Sequence, residues 1–69
     1  MSKTRLSLDI TPTIKQNMDR LQERIGASSY VEVFRKALAL LDMITSEQEN
    51  GTTFLIRDKD GKVEQLRIL

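Results

Sequence analysis

Arg5-Leu6-Ser7-Leu8-Asp9-Ile10-Thr11-Pro12 is the stretch on which the fold turns. Leu6, Leu8 and Ile10 alternate with Arg5, Ser7 and Asp9, and Lys3 continues the polar row. Period two over Thr4 to Ile10 predicts a strand with one apolar and one polar face. Thr11-Pro12 ends it and opens a helix, because the Thr hydroxyl serves an orphan N–H at the N-cap and Pro lacks one to leave unsatisfied.

Beyond Pro12 the apolar residues Ile14, Met18, Leu21 and Ile25 fall on one stripe, while Lys15, Asp19, Arg20, Glu23 and Arg24 face water. Gly26 predicts a left-handed cap. Ser29-Tyr30-Val31-Glu32 has the capping-box spacing, so a second helix is expected to start there and run to about Glu47. Val31, Val33, Phe34, Ala37, Leu38, Leu40, Leu41, Met43 and Ile44 cover more than half of its circumference. That is more apolar surface than a three-element monomer hides. Asn50-Gly51 then breaks the helix. Thr53 to Arg57 and Lys62 to Ile68 read as strands around the turn Asp58-Lys59-Asp60-Gly61, which predicts a C-terminal β-hairpin. The expected organisation is one domain over residues 1–48 with a hairpin extension over 49–69.

Composition narrows the chemistry. Neither cysteine nor histidine occurs, which removes disulfides, thiolate and imidazole metal sites, and the usual nucleophile pairs and neutral-pH proton shuttle. No enzyme is expected, and no cofactor or metal; Met18, Met43 and Phe34 read as core residues. Asp58-x-Asp60-Gly61 is no calcium loop, because the positions where an EF-hand needs acids hold Ile56 and Arg67. A chain of 69 residues without disulfides or metal is expected to gain stability from a partner subunit. The absence of a long apolar run or an apolar leader predicts no membrane association and a cytoplasmic location.

The net charge of +1 does not announce a nucleic-acid binder, although residues 1–26 carry five Lys/Arg against three acids and residues 27–50 two against four. A solvated helix face produces such numbers as readily.

The first strand lacks an obvious mate, and a lone strand is unstable. Two pairings are open. It can join the C-terminal hairpin in an ordinary α+β sheet, or pair antiparallel with its own copy across a two-fold axis. The second choice also covers the over-apolar helix. It would bury Leu6, Leu8 and Ile10 of both chains and show Lys3, Arg5, Ser7 and Asp9 twice on a two-stranded ribbon, which a DNA major groove admits.

Arg5 to Ile10, the Pro-started helix, Gly26-Ala27-Ser28-Ser29 and Glu32-Val33-Phe34-Arg35-Lys36-Ala37-Leu38 together resemble the ribbon-helix-helix family, which includes the Arc and methionine repressors, plasmid copy-number repressors and many antitoxins. The likeness covers roughly residues 3 to 45; the hairpin lies outside it. It implies an intertwined homodimer whose intermolecular ribbon carries Leu6, Leu8 and Ile10 into a core shared with Phe34, Leu38 and Leu41. It further implies that Arg5, Ser7 and Asp9 read bases, and that Ser28, Ser29 and Tyr30 hold a phosphate at the second helix N-terminus. Such a terminus offers free N–H groups and partial positive charge to an anion. Lys3 is assigned to phosphate. Tyr30 fits core equally well, and Ser29 with Glu32 is first of all a helix cap.

Asp9 departs from a basic or neutral reading face. With the two-fold at Ser7 it would oppose Arg5 of the partner strand and aim its guanidinium; alternatively it accepts from a cytosine amino group. The expected function is a homodimeric, sequence-specific double-stranded DNA-binding transcriptional repressor. Given the low charge, two dimers are expected on each operator. The rivals are an antitoxin that also binds a toxin protein through the hairpin, and a protein-interaction module without a DNA role. A compact apolar hairpin is unlike the polar tail of most antitoxins, which disfavours the first rival.

Overall fold

The computed structural model describes residues 3–68. Its elements are α1 (Pro12–Ile25), α2 (Tyr30–Glu49), β1 (Phe54–Arg57) and β2 (Val63–Leu66), an α+β arrangement with one two-stranded antiparallel sheet. The chain divides into two units, one through Val33 and one from Phe34.

In the first unit, Thr11 caps α1 by accepting from the Ile14 amide at 3.2 Å, and Pro12 opens the first turn. Gly26, at φ 67°, closes it. Its amide donates to Glu23 O at 3.2 Å and that of Ala27 to Gln22 O at 2.9 Å, the paired bonds of a Schellman motif. The expected stripe on α1 is formed, yet Met18 is only half-buried and Ile14, Leu21 and Ile25 are exposed. Val33, at 5% exposure, is the buried residue of this unit among those described.

In the second unit, α2 runs two residues beyond the expected Glu47 and ends in the same motif. Gly51 donates to Gln48 O at 3.1 Å and Thr52 to Glu47 O at 2.9 Å, with Gly51 at φ 88°. The hairpin then pairs Phe54 with Leu66, Leu55 with Gln65, Ile56 with Glu64 and Arg57 with Val63. Its strands are shorter than the sequence reading. Asp58 organises the turn, accepting on Oδ1 from the amides of Asp60 and Lys62, both at 2.9 Å, while Gly61 takes φ 86°. That carboxylate is spent on backbone, and among the described residues no acidic cluster is arranged to hold a metal ion. Phe54 and Leu66 are half-buried, and Ile44, 8% exposed, is buried. The Gln48 carboxamide extends the ladder past the start of β1, donating to Leu66 O at 2.9 Å and accepting from the Ile68 amide at 3.4 Å.

Residues 3–11 carry no secondary structure in the single chain, so the strand expected over Thr4 to Ile10 is not formed there. The sheet consists of β1 and β2, which means the pairing of this segment with the hairpin, the ordinary α+β alternative, is not adopted. The physical reason is that alternation selects a face but supplies no hydrogen-bond partner; a strand needs a neighbour. Among the described residues no helix is long and apolar enough to cross a membrane.

Candidate nucleic-acid interface

The amino-terminal segment places Lys3, Arg5, Ser7 and Asp9 in solvent. Among the described residues Arg5 and Asp9 form no ion pair within the chain, so both charged groups are available to something outside it. On the alternate positions Leu6 is 80% exposed and Leu8 64%, with Ile10 also exposed. Three consecutive apolar positions of one face thus stand uncovered. Phe34, Leu38 and Leu41, the α2 members of the expected shared core, are exposed as well.

At the start of α2 the capping box forms with a shift. Ser29 Oγ accepts from the Glu32 amide at 3.3 Å, as the spacing predicts. Glu32 reaches back one residue farther than expected, to the amide of Ser28 at 2.8 Å and its hydroxyl at 3.0 Å. Both donors of Ser28 are therefore engaged with a carboxylate, and a phosphate at that point competes with Glu32. Among the described residues the hydroxyl hydrogen of Ser29 and the amides of Ser29, Tyr30 and Val31 donate to no acceptor, as is usual for the first turn of a helix.

Tyr30 has a role that its sequence neighbourhood did not reveal. Its hydroxyl donates to Asp19 Oδ1 on α1, and Lys15 Nζ lies 3.0 Å from Asp19 Oδ2. The Tyr30 hydroxyl first, and the Lys15 ammonium second, hold the Asp19 carboxyl below the usual carboxylate range. Asp19 in turn raises Lys15. This triad fixes the α1 to α2 corner that presents Ser28 and Ser29. The sequence showed Lys15 and Asp19 only among the water-facing residues of the first helix; their i, i+4 spacing and a Tyr beyond a glycine-ended turn are the signals that were there to be found.

Farther along α1, Asn17, Arg20, Leu21 and Arg24 line an open depression of about 420 Å³. Arg20 donates to Asn17 Oδ1, and Arg24 lies in the last turn, where a cation complements the helix dipole. No protein-family model, curated protein or solved structure matches the chain.

Proposed function

We propose that this chain is a double-stranded DNA-binding repressor of the ribbon-helix-helix type that acts as a homodimer. Two copies pair residues 4–10 antiparallel, bury Leu6, Leu8 and Ile10 over Phe34, Leu38 and Leu41 of both chains, and present Arg5, Ser7 and Asp9 to the major groove. The observation that carries this reading is the segment itself, whose alternating apolar side chains are exposed and whose backbone has no neighbouring strand. Each of those side chains gains roughly 1.5–3 kcal/mol when fully buried, which offsets a large part of the cost of ordering the strand.

Phosphate contacts position such a ribbon, and base contacts specify the site. Lys3 and the start of α2 at Ser29 and Tyr30 take the first role. Ser28 joins them only by releasing Glu32. Arg5 takes the second, forming a bidentate pair with guanine. A protein-interaction module without DNA contact is the reading that the charge of +1 favours.

Selection of bound sequences from a random duplex library by the full chain separates the two. A palindrome or direct repeat, lost with Arg5→Ala, supports the repressor and gives its half-site spacing. Recovery of the input distribution at low salt rejects it.

A further inference from the structure

The outer edge of β1 is a surface that the ribbon does not use. The Asp58 amide donates to Lys62 O at 2.9 Å, in register with the ladder that pairs Arg57 with Val63 and Phe54 with Leu66. Backbone groups alternate along an antiparallel strand, so those of Ile56 and Phe54 also face β2, while those of Thr53, Leu55 and Arg57 point away from it. Among the described residues no strand lies on that side, because the sheet ends at β1.

Edges of natural sheets are normally blunted by Lys, Pro, inward charges or bulges. β2 follows that rule, with Glu64 in the strand and Lys62 and Arg67 flanking it. β1 keeps its one charge, Arg57, at the end of the strand, and its middle is apolar, with Leu55 65% exposed and Ile56 exposed beside it.

We propose that β1 pairs antiparallel with β1 of a second copy of this chain, about a two-fold axis at Leu55, and so joins two hairpins into a four-stranded sheet. In that register Leu55 opposes the partner's Leu55, Thr53 opposes the partner's Arg57, and Phe54 opposes the partner's Ile56. The outward N–H and C=O groups of Thr53, Leu55 and Arg57 are all paired, and no like charges meet. Moving the axis to Ile56 sets Phe54 against the partner's Asp58, and moving it to Phe54 sets Ile56 against the partner's Thr52. The axis at Leu55 is the one that matches apolar with apolar. The pairing rests neither on DNA binding nor on the ribbon.

The chain contains no cysteine, so a thiol at position 55 is unique. A hydrogen-bonded antiparallel pair sets its Cα atoms about 5.5 Å apart, within the range a disulfide spans. Mild oxidation of the full Leu55→Cys chain should give a disulfide-linked dimer on a non-reducing gel. Gln65→Cys, opposite Leu55 on β2, should stay unlinked at the same concentration. Leu55→Lys sets two ammonium groups face to face and should raise the concentration needed for self-association by about tenfold in sedimentation, with helix content unchanged. The proposal is overturned if Leu55→Cys stays unlinked, as it will when a different protein occupies this edge, if Gln65→Cys links as fast, or if Leu55→Lys associates like the parent chain. Loss of DNA selection with the Leu55→Cys link intact rejects the repressor reading alone.

Discussion

The Tyr30 hydroxyl donates to Asp19 Oδ1, and this single bond ties the first turn of α2 to the middle of α1 across the Gly26 turn. Because Tyr30 and Lys15 both stabilise the ionised carboxyl, Asp19 titrates below its ordinary range in the folded chain. A carboxyl depressed in this way adds stability above its unfolded value, and the contribution disappears as pH falls through the folded value. Tyr30→Phe should move the Asp19 titration upward, read by carboxyl chemical shifts. It should also lower stability at neutral pH and make no difference at a pH below the folded value. A mutant whose deficit persists unchanged in acid would show that Tyr30 acts by packing alone.

Gly26 permits the turn that makes this contact. At φ 67° an L side chain is disfavoured, although an added Cβ would meet nothing within 4 Å. The cost of Gly26→Ala is therefore one of backbone conformation, about 1–2 kcal/mol, and Gly26→Asn should lose less because Asn tolerates the left-handed region. Denaturant midpoints at fixed protein concentration check the ranking. Equal losses for Ala and Asn would point away from backbone strain.

Local punctuation was legible because its physics is local. Thr11-Pro12, Gly26, Asn50-Gly51 and Asp58-x-x-Gly61 each act through their own backbone or a neighbour within five residues, and each marks a boundary in the structure. Contacts that depend on how elements approach one another were not legible. Gln48 reads as one polar residue on a helix, yet its carboxamide serves as a surrogate strand for Leu66 and Ile68, eighteen and twenty residues away. Glu32 accepts from the Ser28 amide rather than from that of Ser29, a shift that the capping-box spacing does not reveal. For Leu6, Leu8 and Ile10, alternation shows which face needs cover but does not say what covers it.

Leu8 tests that cover. At 64% exposure in the single chain, Leu8→Ala should be nearly silent if the chain works alone, since exposed substitutions usually stay within about 0.5 kcal/mol. In a shared core the same change costs about 2–5 kcal/mol. Leu8→Asp should abolish association and folding together, because it places an unpaired charge among apolar side chains. Melting curves over a range of protein concentrations distinguish the cases: a midpoint that rises with concentration and falls sharply in Leu8→Ala supports the ribbon dimer. A concentration-independent midpoint, unmoved by the mutation, contradicts it.

If the proposed ribbon reads DNA, Arg5 and Asp9 carry its sequence preference, and their effects differ in kind. Arg5→Ala should cost about 1–3 kcal/mol of specific binding and relax discrimination at one guanine, with folding intact because the side chain is solvent-exposed. Asp9 has two available roles that separate on single-base variants of a selected site. If its carboxylate accepts from a cytosine amino group, Asp9→Asn relaxes one C·G position and leaves the guanine preference alone. If it opposes the partner's Arg5 across the two-fold at Ser7, Asp9→Asn loosens the guanidinium and degrades the preference at the Arg5 guanine instead. Removing a carboxylate also lowers repulsion from phosphates, so a general gain in affinity is expected on top of either pattern. A uniform gain with base preferences intact would exclude Asp9 from readout and leave Arg5 to aim its guanidinium unaided.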